Sequence, residues 1–255
     1  LPITGVNKNP YSIFSIPEFK NFIIGRCLYI MGIRMTGTVI GWWIYLLTDS
    51  KLALGFVGLS EVIPALSLAL YAGHYIDINE KRKLLLRCVL AYTFCVLLLI
   101  LLSAGYTNNN LHHWTIAILI CIVIGLTGAI RAFSGPTFSA MISQVVPKES
   151  LPTAASISSA TWLIASIIGH ASAGFLIAFI GINLSFFVVL FLVALGYFFL
   201  HKLSVKPVFV QVKNKTWQSV KEGLNYVFKT KEILGALSLD LFAVLFGGAV
   251  ALVPV

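Results

Sequence analysis

Long apolar stretches alternate with short polar segments along this 255-residue chain. Each stretch is about 20 residues or longer, enough for a helix to cross a ~30 Å hydrocarbon layer. Apolar positions are continuous rather than alternating, so the strands of a closed β-barrel are not indicated. The pattern predicts six complete membrane-spanning helices and most of a seventh, at about Phe22–Leu47, Ala53–Ile76, Leu84–Gly105, Trp114–Val146, Ala154–Ile180, Ile182–Leu200 and from Ile233 onward.

The longest polar segment, 203–231, separates the sixth predicted span from the seventh. It carries apolar residues at helical spacing, namely Trp217, Val220, Leu224, Val227 and Phe228. This pattern predicts a basic amphipathic helix on the membrane surface, and a calmodulin-binding segment would look the same. The chain is therefore divided into an N-terminal segment, a six-helix bundle, a linker and a seventh helix, over 1–21, 22–202, 203–231 and 232–255.

Composition agrees with a membrane protein. Hydrophobic residues make up 58% of the chain and its mean hydropathy is +0.94, against roughly 45–50% apolar residues in soluble domains. The chain begins with Leu1, shows no cleavable signal peptide, and ends within an apolar stretch, so we interpret it as part of a longer protein. All cysteines lie inside apolar stretches without metal-ligand spacing, so we expect core residues and neither a metal nor a cofactor.

The positive charge is unevenly placed. Of 18 Lys and Arg residues, three lie within spans and one, Lys51, lies in a loop on the far side. The remaining fourteen fall on the side of the N-terminus. Because basic loops stay in the cytoplasm, this bias predicts a cytoplasmic N-terminus. The charge is then a topology signal and a contact for lipid headgroups rather than a surface for nucleic acid.

Four spans carry a charged residue, and these are candidate substrate or coupling residues: Arg34, Glu61, Arg131 and Asp240. Such a residue costs roughly 2.5–3.5 kcal/mol at the bilayer centre, so it predicts function. At ~1.5 Å per residue, Arg34 and Glu61 both lie near the midplane. They could form an ion pair that fixes the packing of two spans, or they could line a water-filled pathway. Arg131 could extend to the inner face or face the pathway, whereas we expect Arg26 to extend to the inner face.

Small residues in the fifth predicted span recur at four-residue spacing, at Ala165, Gly169 and Ala173, with Gly174 beside them. This spacing lets helices approach closely. In contrast, the chain shows no HExxH, GxSxG or P-loop sequence and only scattered histidines. We therefore predict neither an enzyme nor ATP-driven transport.

The segment GHYIDINEKRK after the second predicted span resembles a loop motif of the major facilitator superfamily. That motif has Gly, three residues, Asp, and then a basic pair. Gly73, Asp77, Lys81 and Arg82 match it, whereas Glu80 stands where Gly is common. By this resemblance the four residues belong to a conformational latch between two helical bundles.

The resemblance extends along most of the chain. The segments at 41–77 and 131–149 and the C-terminal apolar run look like the enterobactin-exporter-like, or transmembrane secretion effector, branch of the superfamily. The resemblance implies a 12-helix fold of two bundles, alternating access, and proton-coupled efflux of siderophores or drugs. Arg131 matches a fourth-helix Arg position. The fifth-helix antiporter motif is altered, with His170 in place of Pro and Ala173 in place of Gly.

We therefore predict an all-α membrane protein, namely the six-helix N-terminal bundle of a major facilitator fold with a linker and the seventh helix. The predicted function is proton-coupled efflux of a small amphipathic molecule by a monomer in the bacterial inner membrane. Glu61 or Asp240 would carry the proton, and Arg34 and Arg131 would contact an anionic group. The alternatives are an importer or lipid flippase of the same fold, or a membrane-embedded receptor or enzyme.

Overall fold

The computed structural model describes residues 10–104 and 112–205, with a few positions between 225 and 239. A short 3-10 helix, Pro10–Ser15, leads into five α-helices, and a second, Lys148–Ser150, precedes the last of them. The α-helices are α1 Pro17–Thr48, α2 Lys51–Ile78, α3 Lys81–Ser103, α4 His113–Val145 and α5 Leu151–His201. All five are long and apolar enough to cross a membrane. The described part of the chain is thus an all-helical, multi-pass membrane protein.

Helix α5 contains the fifth and sixth predicted spans. Its 51 residues would extend about 76 Å if straight, far more than a ~30 Å hydrocarbon layer. Gly181 breaks the helical geometry with φ 77° and ψ 177°, a left-handed φ that glycine adopts without steric cost. It divides α5 into a first arm, 151–180, and a second arm, 182–201.

The two arms run in opposite directions along α1. On the first arm, Ser166 contacts Arg34 and His170 contacts Thr38, so residue numbers rise together. On the second arm, Val193 packs on Gly32 and Leu200 on Gly25, so the numbers run in opposite senses. The chain therefore reverses near Gly181, and the fifth and sixth predicted spans correspond to the two arms of α5.

A tight turn joins α1 to α2. Asp49 adopts φ 47°, which short polar side chains tolerate, and its N–H donates to the Tyr45 carbonyl at 2.8 Å. Ser50 then caps α2 by accepting a hydrogen bond from the Ala53 N–H, as polar N-cap residues commonly do. Because only two residues separate the helices, they must run antiparallel.

The opposite end of the bundle carries the charged loops and is called here the basic end; it includes Lys81, Arg82, Lys83, Lys148 and Lys202. There Lys83 pairs with Glu80 at 2.8 Å. Arg82 Nη2 donates to the His201 carbonyl oxygen at 2.5 Å. This bond joins the start of α3 to the end of α5, where helix carbonyls lack partners within the helix.

An aromatic cluster joins α1, α3 and α4 in the core. The ring centroids of Tyr29 and Tyr92 are 5.5 Å apart, those of Tyr29 and Phe138 5.6 Å, and those of Phe22 and Phe138 5.9 Å. These separations suit tilted and edge-to-face ring contacts. The rings hold three helices together on one side of the cavity described below.

Two regions predicted from the sequence fall largely or wholly outside the described residues. They are the amphipathic linker and the seventh helix, which contains the candidate residue Asp240. Both remain predictions.

Candidate functional site

A cavity of about 650 Å³ opens between α1, α2, α4 and the first arm of α5. Its walls combine charged and aromatic side chains, including Arg26, Tyr29, Arg34, Glu61, Arg131, Phe138 and Trp162. Cavities of this size hold drug-sized molecules, and a few polar groups among apolar walls orient such ligands. Three of the four charged residues predicted to be functional therefore meet at one site.

Arg131 and Glu61 form an ion pair on the wall of this cavity. Arg131 Nη1 donates to Glu61 Oε1, and the pair joins α4 to α2. The two side chains are 36% and 32% exposed, so both reach the cavity. The Arg34–Glu61 pair that the sequence allowed is not the pair that forms. Arg131 thus lines the cavity and pairs with Glu61.

Gly128 lets α4 approach α2 at this point, a contact that no motif in the sequence predicts. A Cβ atom built on Gly128 would overlap the backbone carbonyl of Glu61. Gly128 and Arg131 are three residues apart and thus lie on the same helix face. The close approach at Gly128 therefore brings the Arg131 guanidinium within reach of the Glu61 carboxylate.

Arg34 is held by the first arm of α5. Its Nε donates to Ser166 Oγ at 3.2 Å, and its guanidinium carbon lies 5.0 Å from the centre of the Trp162 ring. That geometry suits a cation–π contact. Gly169 permits it, because a Cβ there would lie 2.9 Å from Arg34 Cβ.

Arg26 does not extend to the basic end as predicted. It lies half-buried two turns from Arg34 and lines the cavity, with its guanidinium carbon 5.4 Å from the centre of the Phe138 ring. Depth along the helix suggested an inner-face position, whereas the rotation of α1 directs the side chain inward. Within the described residues, neither Arg26 nor Arg34 has a carboxylate partner, so the cavity carries net positive charge.

A second cavity of about 250 Å³ adjoins the first and shares Arg34, Glu61 and Arg131 with it. His170 lines this second cavity, and its Nδ1 lies 2.8 Å from Thr38 Oγ1. In the sequence, His170 is a departure from the antiporter motif. His170 thus lies beside Thr38, which is one helical turn along α1 from Arg34.

The predicted packing motif is buried against α1 in part. Ala165, Gly169 and Ala173 are buried. Gly174, however, is exposed, and a Cβ there would meet no atom within 4 Å. Gly174 therefore lies outside this helix contact because it sits on another face of α5.

The residues of the loop motif lie near the basic end. Arg82 bonds to the His201 carbonyl, and Asp77 is exposed. A Cβ on Gly73 would meet no atom within 4 Å among the described residues. Within the described residues, neither Gly73 nor Asp77 contributes to helix packing, because both lie on an outward face of α2.

These features define a class: a polytopic, all-α membrane protein with a charged, ligand-sized cavity among its helices. A sequence model described as the Major Facilitator Superfamily matches residues 22–255. The chain belongs to the major facilitator superfamily, which is a family of secondary transporters. A search of curated proteins found no match to this chain.

Proposed function

We propose that this chain forms part of a secondary transporter that exports a small amphipathic molecule in exchange for protons. The observation that carries this proposal is the Glu61–Arg131 ion pair on the wall of the 650 Å³ cavity. Aromatic and aliphatic walls suit the apolar part of such a molecule, and the arginines suit its polar part. A carboxylate that is both paired and accessible can take up a proton.

In this proposal, protonation of Glu61 changes the shape of the cavity. While Glu61 is ionised, its bond to Arg131 holds α2 against α4 and shapes the wall that contacts the substrate. Protonation removes the charge of the carboxylate and breaks the pair. The shape of the cavity wall then changes and the substrate is released. A proton and a substrate molecule therefore occupy the transporter alternately. Alternating occupancy is the requirement for exchange in opposite directions.

The test uses the natural full-length protein in lipid vesicles under an imposed pH gradient, with efflux of a fluorescent amphipathic dye as readout. Glu61→Gln should abolish the dependence of dye movement on the gradient. Glu149→Gln is the control, because Glu149 is exposed in the 3-10 helix at the basic end. Gradient-driven export that survives in Glu61→Gln would remove Glu61 from the proton path.

Import of a solute and lipid flipping are the alternatives within the same fold. Dye binding to Glu61→Gln separates exchange from import, because that variant mimics the protonated state. Weaker binding supports exchange, whereas tighter binding means that proton and substrate travel together. Movement of labelled lipid in the vesicles would favour a flippase. A receptor or an enzyme, the alternative from another class, would show no gradient-driven movement.

We further propose that the basic end faces the bacterial cytoplasm, and that Gly73, Asp77, Lys81 and Arg82 form a latch against a second bundle. The placement of Lys and Arg supports the orientation. In a cysteine-free protein, an impermeant thiol reagent should label the Asp49→Cys variant and spare the Lys83→Cys variant.

The latch is tested by a substitution in the loop motif. Asp77→Asn should slow transport without loss of folded protein. The transporter should elute as a monomer, which light scattering checks.

A further inference from the structure

Arg26 stands between two cavities. It lines the 650 Å³ cavity on one side. On the other it lines a pocket of about 320 Å³ toward the basic end, near the start of α5. At ~1.5 Å per residue it lies about 12 Å along α1 from Arg34. A molecule that passes between the basic end and the central cavity through this pocket must pass the Arg26 guanidinium.

The guanidinium has unused hydrogen-bonding capacity. Arg26 Nε and Nη1 are buried and have no hydrogen-bond acceptor among the described residues. Burial without an acceptor is costly for a charged donor. The contact with the Phe138 ring compensates for only part of this cost, because a cation–π contact leaves the in-plane N–H groups free.

The smaller pocket supplies further hydroxyl groups. Ser139, Ser143, Ser158 and Ser159 line it. The Ser158 hydroxyl is buried without a hydrogen-bond partner among the described residues, and the other walls come from apolar side chains such as Ile142 and Leu151. The Arg26 guanidinium and the unpaired Ser158 hydroxyl, on separate helices, thus line the same pocket. The place where Arg26 borders both cavities is called here the neck.

We propose that Arg26 and Ser158 form an anion-binding site that selects organic anions on their way to the central cavity. A planar guanidinium binds a carboxylate through two parallel hydrogen bonds, and a hydroxyl adds a third donor. The ligand is an amphipathic molecule with one carboxylate-like group and an aromatic or aliphatic body, which the apolar walls accommodate. This inference rests on the proposed transport function and adds a charge preference to it.

The positive charge of the site excludes a preference for organic cations. Arg131 is neutralised by Glu61, but no carboxylate pairs with Arg26 or Arg34 among the described residues. An organic cation at the neck would face an unpaired guanidinium at short range, where repulsion in a low-dielectric setting is strong. An anion instead satisfies the donors that the protein leaves unpaired.

The test compares two probes that differ only in charge, dansylglycine and dansylglycinamide, by fluorescence titration of the purified full-length protein. The wild type should bind the carboxylate at least tenfold more tightly. Arg26→Gln should weaken dansylglycine binding about tenfold and change amide binding less than twofold. Ser158→Ala should weaken carboxylate binding about threefold, and Arg26→Lys should fall between wild type and Arg26→Gln, because a point charge remains without the planar fork.

Arg87→Gln is the matched control, since Arg87 is an exposed arginine near the basic end of α3. It should leave both affinities unchanged. Equal binding of the two probes by the wild type, binding of neither, or an equal loss of both in Arg26→Gln would overturn the inference. If Arg26→Gln does not fold, as judged by its elution profile, the Ser158→Ala result decides.

The two proposals fail separately. Gradient-driven export without a preference for the carboxylate probe would reject the anion-binding site and keep the proposed transport function. Carboxylate-selective binding without gradient-driven movement would reject the transport mechanism and keep the anion-binding site.

Discussion

Arg131 donates a hydrogen bond to Glu61 across the contact between α4 and α2, although 70 positions separate the two residues along the chain. Among the described residues, this is the ion pair that lies within the predicted spans, and it links two helices on the cavity wall. Removing one partner leaves the other side chain charged and unpaired between the helices. Removing both partners leaves no unpaired charge.

This arrangement predicts strong coupling in a double-mutant cycle. Arg131→Gln alone should lower the free energy of unfolding by about 1–2 kcal/mol, between the values for exposed and buried pairs, because both side chains are partly accessible. The double variant with Glu61→Gln should recover most of that loss. The measurement is reversible unfolding in mixed detergent micelles.

The pair between Lys83 and Glu80 at the basic end, whose partners are three positions apart, serves as the comparison. Its coupling energy should stay below about 0.5 kcal/mol, as for other pairs at this spacing along the chain. Equal coupling energies for the two pairs would mean that the cavity pair contributes no more than a pair of neighbours along the chain.

Gly128→Ala should separate α4 from α2. The added methyl group would overlap the Glu61 backbone carbonyl, and backbone cannot move aside as a flexible side chain can. We expect a loss of about 1–3 kcal/mol in unfolding free energy. Gly135→Ala, on the same helix, meets no atom within 4 Å. That control should be neutral or slightly stabilising, because Ala favours helix over Gly.

Gly169→Ala should disturb the contact between α5 and α1. A Cβ there would lie 2.9 Å from Arg34 Cβ and 3.0 Å from the Met31 carbonyl oxygen. We expect a loss of about 1–2 kcal/mol, together with an altered tryptophan emission, because Arg34 would move relative to Trp162. Gly174→Ala should cost nothing, since its site is open. Similar melting curves for both variants would argue against the contact.

Arg82→Gln should loosen the end of α5. The variant loses the bond from Arg82 Nη2 to the His201 carbonyl oxygen and a positive charge close to a helix C-terminus. Together these contribute roughly 0.5–1 kcal/mol. Hydrogen exchange of amides near residue 200 should accelerate, whereas amides in the middle of α1 should not. Lys83→Gln, its exposed neighbour, provides the comparison.

Sequence reasoning located the helices well because span length and hydropathy are local properties. Each of the six complete predicted spans falls on a helix or helix arm, and the break between the fifth and sixth lies at Gly181, where no side chain restricts a positive φ. Charge placement and the loop motif also pointed to the family that the chain belongs to. None of these required knowledge of which helices are neighbours.

For the cavity residues, the sequence and the tertiary structure determine different properties. The sequence placed Arg34 and Glu61 near the middle of their predicted spans, because position along a helix follows from counting residues. Only the tertiary structure decided that Glu61 pairs with Arg131, that Gly128 makes this possible, and that Arg26 faces inward. Pairing depends on helix rotation and on which helices lie side by side, and packing between distant segments sets both. A chain of nearly continuous apolar helices carries little of that information in its local pattern.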